Sequence, residues 1–406
     1  MSAPVQGAVP SRAVSGTFRD LGAARIAHWL LTGPAQQSDG PHTGAVAGWI
    51  GTDGRADYVY PEITGYYLQW LAWMMRRDGR QPLYAARAQA ALGWLTQWLA
   101  KDRPPTRIYV EVAREDWRND ALFTFDLAMV LRGIGAAANA GLIAPPATVI
   151  DRTCRALARM VGPDGQFEAC IRHRGGENFP QRWSTRRGPF LAKAAAGVLD
   201  AGRTLPNVPG AVLAAAQKTF DASLDALARA PHDETHPSLY AIEGFLARPD
   251  DPAFASRLPK IAVHFDALVE RIGNRGRVPE AMSNDGALRL DIVAQTIRAG
   301  FLLDAHRRDP ISNGRECVPP RSPLRGFAAP GVGAIRALGS ARRRELDSLA
   351  DTLAQYVRAD GALPFSPDAP IAQFNVWTAL FAEQALALVY REPHEIARLA
   401  ASPSIV

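Results

Sequence analysis

Asp53-Gly54-Arg55-Ala56-Asp57-Tyr58-Val59-Tyr60-Pro61-Glu62-Ile63-Thr64-Gly65-Tyr66-Tyr67-Leu68-Gln69-Trp70 reads as a tight turn, a short extended stretch and an apolar helix that opens on proline. The unit returns downstream. Asp164-Gly165-Gln166-Phe167 leads to the small-residue helix Gly188-Pro189-Phe190-Leu191-Ala192-Lys193-Ala194-Ala195-Ala196-Gly197. Asn274-Arg275-Gly276-Arg277-Val278-Pro279-Glu280 precedes Leu288-Arg289-Leu290-Asp291-Ile292-Val293-Ala294-Gln295-Thr296-Ile297-Arg298. Asp360-Gly361-Ala362-Leu363-Pro364-Phe365 precedes Gln373-Phe374-Asn375-Val376-Trp377-Thr378-Ala379-Leu380-Phe381. Two further apolar helices, Trp117 to about Ala138 and His236 to about Ala247, fall between these copies at compatible spacing, which makes six units.

Helical periodicity recurs in segments of ~12–20 residues, about twelve helices in all, and no long alternating strand series competes with it. A hairpin of two helices cannot bury its apolar face alone, so such units stack on their neighbours. An open solenoid calls for similar repeats with polar caps, whereas these units diverge and carry long polar loops before each inner helix. Small residues (Gly65, Ala192 to Gly197, Gly244, Ala294, Ala299, Gly300) suit a tightly packed inner ring. The segments Ala85 to Ala100 and Ala341 to Arg358 alternate charged and apolar positions, as a solvated outer ring should. The expected fold is therefore all-α, a single-domain (α/α)6 toroid of six helical hairpins over residues 19–392. A flexible N-terminal segment, 1–18, and a C-terminal tail, 393–406, flank it.

From about Ala23 to Tyr390 this turn-then-inner-helix layout resembles the six-hairpin glycosidase-like superfamily, which includes glycoside hydrolases, uronate lyases and sugar epimerases. The resemblance implies an active-site bowl at the N-termini of the inner helices. Other toroids carry marks that are missing here: no Asp-rich or Asp-x-Asp-Asp string of a terpene cyclase, and no Cys and His zinc site of a prenyltransferase. Nor is there a phosphate loop, a nucleophile elbow or a His-Glu-x-x-His helix.

Composition narrows the partners. Of 406 residues, 47% are hydrophobic and 21% charged, ample for a large core. No segment approaches the ~18 apolar residues of a membrane span, and Met1 to Phe18 has no apolar run of signal-peptide length, so neither membrane insertion nor export is expected and the location is read as cytoplasmic. The three cysteines, Cys154, Cys170 and Cys317, form no C-x-x-C, and no metal or other cofactor is expected. The formal charge of +6 leans towards an anionic partner. Its arginines are scattered rather than gathered in one tail or helix, which argues against nucleic acid. Oligomeric state is not legible.

Glycoside hydrolysis needs two carboxyl groups, one protonated and one ionised. Glu62 follows Pro61 in the company of Tyr58, Tyr60, Tyr66 and Tyr67; Asp120 would face the bowl if the helix beginning near Trp117 turns it inward. Asp291 interrupts an apolar face and shares its helix with Gln295 and Arg298. Glu62, Asp120 and Asp291 are the candidate acid and base, although helix-start carboxylates, caps and a buried Asp–Arg pair account for the same residues structurally. Asp116, Glu243 and Glu280 complete the acidic set, and Asp285 reads as a turn residue. Sugar rings stack on aromatic faces and offer hydroxyls to polar forks. The substrate-binding candidates are Tyr58, Tyr60, Tyr66, Trp117, Arg118, Asn119, His173, Arg182, Trp183, Arg187, His236, Tyr240, Glu243, Arg289, Asn375 and Trp377. The polar loop from His173 to Arg187, with Lys193 beyond it, suits an anionic sugar.

The sequence leads to a carbohydrate-active enzyme, most simply a glycoside hydrolase acting on an oligo- or polysaccharide that can be acidic. Proton abstraction beside a carboxylate, as in a uronate lyase or epimerase, is the first alternative. A non-catalytic glycan-binding or scaffold protein is the second.

Overall fold

Asp53 and Gly54 turn the chain because Gly54 adopts φ +80, a region that L side chains rarely enter, while the Asp53 carboxylate accepts the Arg55 amide at 3.0 Å. The result is a hairpin of β1 (Ala47–Ile50) and β2 (Ala56–Val59). Gly165 and Gly361 turn the third and last copies in the same left-handed conformation. The computed structural model describes residues 12–79, 81–173, 179–229, 234–275, 287–308, 332–392, 394–396 and 405. Glu280 and Asp285 lie outside them, as does part of the arginine loop, residues 174–178.

Twelve α-helices occur among the described residues. They are α1 (Arg12–Thr32), α2 (Pro61–Asp78), α3 (Pro82–Leu99), α4 (Thr124–Asn139), α5 (Ala147–Arg159), α6 (Leu191–Thr204), α7 (Gly210–Arg229), α8 (Thr235–Leu246), α9 (Phe254–Arg275), α10 (Leu290–Arg308), α11 (Val332–Gln355) and α12 (Val376–Leu388). Helix α1 begins inside the segment 1–18 that the sequence sets apart. Even-numbered helices are inner: α2 is buried continuously from Pro61 to Met74, as a helix surrounded by others must be. Outer α5 buries only Val149, Ile150, Thr153, Cys154 and Leu157, a single stripe. Each inner helix packs on the next, and α12 touches both α10 and α2, so the ring closes. No helix among the described residues is long and apolar enough to cross a membrane.

One boundary differs from expectation. The helix anticipated from Trp117 starts only at Thr124; Trp117–Asp120 is a 3-10 turn capped by Asp116, and Ala121–Phe123 is strand β4. Leu122 and Phe123 are taken into an antiparallel ladder with Ile171 and Cys170 of the Cys170–Arg172 strand, which outcompetes helix continuation. With Ile108–Tyr109 as β3, Cys170–Arg172 is β5 and Phe374–Asn375 is β6. The second sheet runs β3-β2-β1-β6, joining the entrances of α2 and α12. Both sheets stand beside inner-helix N-termini and wall the bowl there.

At the α2–α4 seam the backbones nearly touch. A Cβ on Gly65 would lie 2.5 Å from the Met129 carbonyl oxygen, and one on Gly133 would collide with the Gly65 carbonyl. Gly65→Ala is therefore expected to force the two helices apart and cost about 1–3 kcal/mol in a urea unfolding titration. An unchanged midpoint would mean that the seam relaxes freely.

Candidate active site

A cavity of about 370 Å³ opens at the N-terminal ends of the inner helices. Its walls are aromatic: Trp49 from β1, Phe123 and Phe125 around the start of α4, Trp183 and Phe190 before α6, Tyr240 on α8, and Phe365 and Trp377 beside α12. Glu62, Asp126, His236, Ser184 and the arginines Arg107, Arg118, Arg182 and Arg289 supply its polar groups.

Glu62 and Asp126 sit side by side for a reason visible in the seam. Glu62 is one turn before Gly65 and Asp126 one turn before Met129, the two points where α2 and α4 meet, so the crossing brings their carboxyls together. The Tyr60 hydroxyl donates to Asp126 Oδ1 at 3.2 Å. Burial raises Glu62 to about 7, with the Tyr60 hydrogen bond and the Lys193 charge working against it. Burial followed by repulsion from Glu62 raises Asp126 well above the usual carboxylate range. Two such carboxyls resist ionising together.

Opposite, His236 enters from α8. Burial pushes its imidazole down to about 4, outweighing the pull of Asp291, so the ring is neutral. Its centroid lies 4.3 Å from that of Tyr240, and its Nδ1 has no hydrogen-bond partner among the described residues. Asp291 is fully buried behind it; although burial opposes ionisation, Arg289 at 2.7 Å holds its carboxylate below the usual range. Trp377 Nε1 donates to the same carboxylate at 3.3 Å.

The Asp116 carboxylate places two of the arginines. It takes the Arg118 backbone amide at 3.0 Å and the Arg118 guanidinium at 3.1 Å, and stands 3.6 Å from Arg107. Asn119 clamps the Arg107 backbone at 2.7 and 2.8 Å. Arg107 then stacks over Tyr58 and Arg118 over Trp117, each 4.6 Å from the ring centroid. Arg182 is exposed at the mouth and has no acidic partner among the described residues.

Beneath the cavity lies a buried network. Glu243 on α8 accepts Lys193 from α6 at 2.8 Å, Gln295 from α10 at 3.0 Å, and the Arg298 guanidinium, whose other nitrogen reaches Gln384 on α12 at 3.1 Å.

Of the sequence candidates, Tyr60, Glu62, Arg118, Arg182, Trp183, His236, Tyr240, Arg289 and Trp377 line the cavity. Tyr58 and Tyr66 are buried and do not line it; Trp117 packs on Phe123 and Phe179 at 6.0 Å; Asn375 caps α12 through the Thr378 amide. Glu243 and Asp291 belong to the buried layers just described. Asp120 does not line the cavity. Because the helix has not begun there, its side chain is 42% exposed and pairs with Arg172 at 2.9 Å. Arg187 is tied up by Asp164 and Glu168, and the His173 amide extends the β4–β5 ladder to the Asp120 carbonyl. Asp126, Arg107 and Trp49 escaped sequence reasoning. For Asp126 the available signal was position: it is the third residue of its inner helix, as Glu62 is the second of its own.

No family model and no curated sequence matches the chain. Solved structures do. A D-mannose isomerase aligns with a TM-score of 0.65 at 11% identity, over 98% of this chain and 100% of that one. An unsaturated glucuronyl hydrolase specific for heparin gives 0.58 at 11%, over 93% and 97%. A type II terpene cyclase from Scytonema gives 0.54 at 10%, over 96% and 100%. The chain thus has the (α/α)6 toroid fold of these structures, as its recurring unit leads one to expect.

The raised carboxyls have a consequence for stability. At this pair the folded state binds more protons than the unfolded one between the ordinary carboxylate range and about pH 7, so the pair's contribution to stability falls as pH rises through that window, while that of the lowered His236 imidazole runs the other way. Glu62→Gln is expected to flatten this part of the profile and raise the melting temperature at pH 8. A variant that melts lower at pH 8 and keeps the slope would show that Glu62 is not the group responsible.

Proposed function

We propose that this chain is a carbohydrate-active enzyme, most simply a glycoside hydrolase for a short acidic saccharide, with the Glu62–Asp126 pair as its proton donor. One observation carries the proposal: two buried carboxyl groups, each pushed above the usual carboxylate range, line a cavity of sugar size walled by rings and guanidinium groups. The protonated member would donate to the glycosidic oxygen as the C–O bond breaks, and its ionised partner would steady the positive charge that develops on the sugar ring. Neutral His236, on α8 across the ring from α2, would take the proton of an attacking water. Arg107, Arg118 and Arg182 suit a carboxylate or sulfate on the sugar. The mannose isomerase and glucuronyl hydrolase of the same fold support a sugar substrate. The Asp-x-Asp-Asp acid of a terpene cyclase is missing from the sequence.

A second reading follows from His236. A neutral imidazole in the cavity wall, with Asp291 3.9 Å behind its Nδ1, can instead abstract a proton beside a sugar carbonyl or carboxylate, which is epimerase, isomerase or lyase chemistry.

Turnover separates the two. On a saccharide that the unaltered protein processes, Glu62→Gln and Asp126→Asn are each expected to lose ~10²–10⁴-fold in kcat with the fold intact, and Asp120→Asn to stay near normal. If the two carboxyl variants kept their turnover while His236→Ala abolished it, and substrate exchanged a carbon-bound hydrogen with solvent, the hydrolase assignment would give way to proton abstraction.

A further inference from the structure

Lys193 is buried in the interior of the ring, contributes nothing to the cavity wall, and has no part in the chemistry above. Its surroundings are unusual for a lysine. Nζ donates to Glu243 at 2.8 Å and lies 4.6, 5.0 and 5.1 Å from the ring centroids of Tyr240, Phe381 and Tyr66. Two of those rings lead directly to the acid pair: Tyr66 is one turn below Glu62 on α2, and Tyr240 lines the cavity. An amine so enclosed cannot turn to solvent, and a charge there is poorly screened.

We propose that Lys193 is a positioning residue for the acid–base pair, a buried charge that acts across Tyr66 and Tyr240 on Glu62 and sets how tightly the pair holds its shared proton. This rests on reading Glu62 and Asp126 as the proton donor, although the test below detects protonation itself and needs no substrate.

The charged and titratable groups around both partners are known. Lys193 faces Glu243 and Tyr240 from α8, Arg298 from α10, Arg132 from α4 and Tyr66 from α2. Burial lowers it to about 7, Glu243 resisting and Arg298 and Arg132 assisting. Glu62 faces Tyr60, Lys193, Asp126 and Arg107, with Tyr66 and Tyr240 beside it, and Cys170 lies within the field of Asp126. Burial disfavours the charge on Lys193 as it does the charge on Glu62, and with the Tyr66 and Tyr240 rings enclosing the amine the charge on one bears on the proton of the other. A positive Lys193 favours an ionised Glu62, and a neutral one lets the pair keep its proton.

Infrared difference spectroscopy of the substrate-free protein reads this through the carboxylic-acid C=O band that Glu62→Gln removes. In Lys193→Met the pH at which that band disappears is expected to rise by about one unit, because the ionised pair has lost its cation. Lys193→Arg keeps the charge, and its midpoint should not rise. Should the methionine variant fail to fold, the reciprocal measurement decides: in Glu62→Gln the Lys193 13Cε resonance should titrate at lower pH than in the unaltered chain. A band that titrates at the same pH in Lys193→Met, or a lysine resonance that ignores Glu62→Gln, overturns the proposal. A positive coupling in a protein that processes no saccharide would instead leave it standing and remove the carbohydrate reading.

Discussion

Gly65 and Gly133 allow α2 and α4 to meet backbone to backbone, and the rest of the site depends on that contact. A side chain at either position would separate the helices, and Glu62 and Asp126, one turn above the crossing, would separate with them. The other seams of the ring carry polar contacts. Arg132 bonds Asp200 across α4–α6, Lys193 bonds Glu243 across α6–α8, and Glu243 bonds Arg298 across α8–α10. Arg298 reaches Gln384 across α10–α12, and Glu383 accepts Trp70, Trp73 and Arg77 across α12–α2. Polar contacts cross those five seams, with a close backbone approach at Gly244 in α6–α8 as well, whereas the seam under the acid pair is made by the close approach at Gly65 and Gly133.

This division has an electrostatic logic. Buried charges are costly unless paired, and removing one partner of a buried pair is far more damaging than replacing both. Glu243 is shared by Lys193 and Arg298, and Glu383 takes Arg77, so the cations of the interior have carboxylates at hand. Among the described residues Glu62 and Asp126 have no cation in hydrogen-bond contact, only each other and the Tyr60 hydroxyl, and burial with their mutual repulsion favours a proton on the pair. A donor poised to release that proton at neutral pH is what acid catalysis asks for.

Much of the fold was legible because it is written in local terms. Asp-Gly turns mark the entrance to the inner helices at Gly54, Gly165 and Gly361, and an inner helix announces itself by carrying almost no exposed residue. The site was legible in part. Glu62 follows its turn directly and could be picked out, whereas Asp126 was hidden because the apolar run from Trp117 reads as continuous helix. Pairing of Leu122 with Ile171 and of Phe123 with Cys170, a contact between residues some fifty positions apart, delays the helix and puts Asp126 rather than Asp120 at its mouth. Arg107 carries no local signal at all, being held by Asn119 and Asp116 from further along the chain.

The central claim is that the paired carboxyls on α2 and α4 act on the bond between two sugars. A crystal structure of the unaltered protein with a thio-linked acidic disaccharide, which resists hydrolysis, tests it most directly. The account predicts the linkage sulfur within about 3.5 Å of a Glu62 or Asp126 carboxyl oxygen, the acidic group on Arg107, Arg118 or Arg182, and a sugar ring against Trp183 or Trp377. A disaccharide seated with its linkage away from both carboxyls and a ring carbon against the His236 imidazole would contradict it.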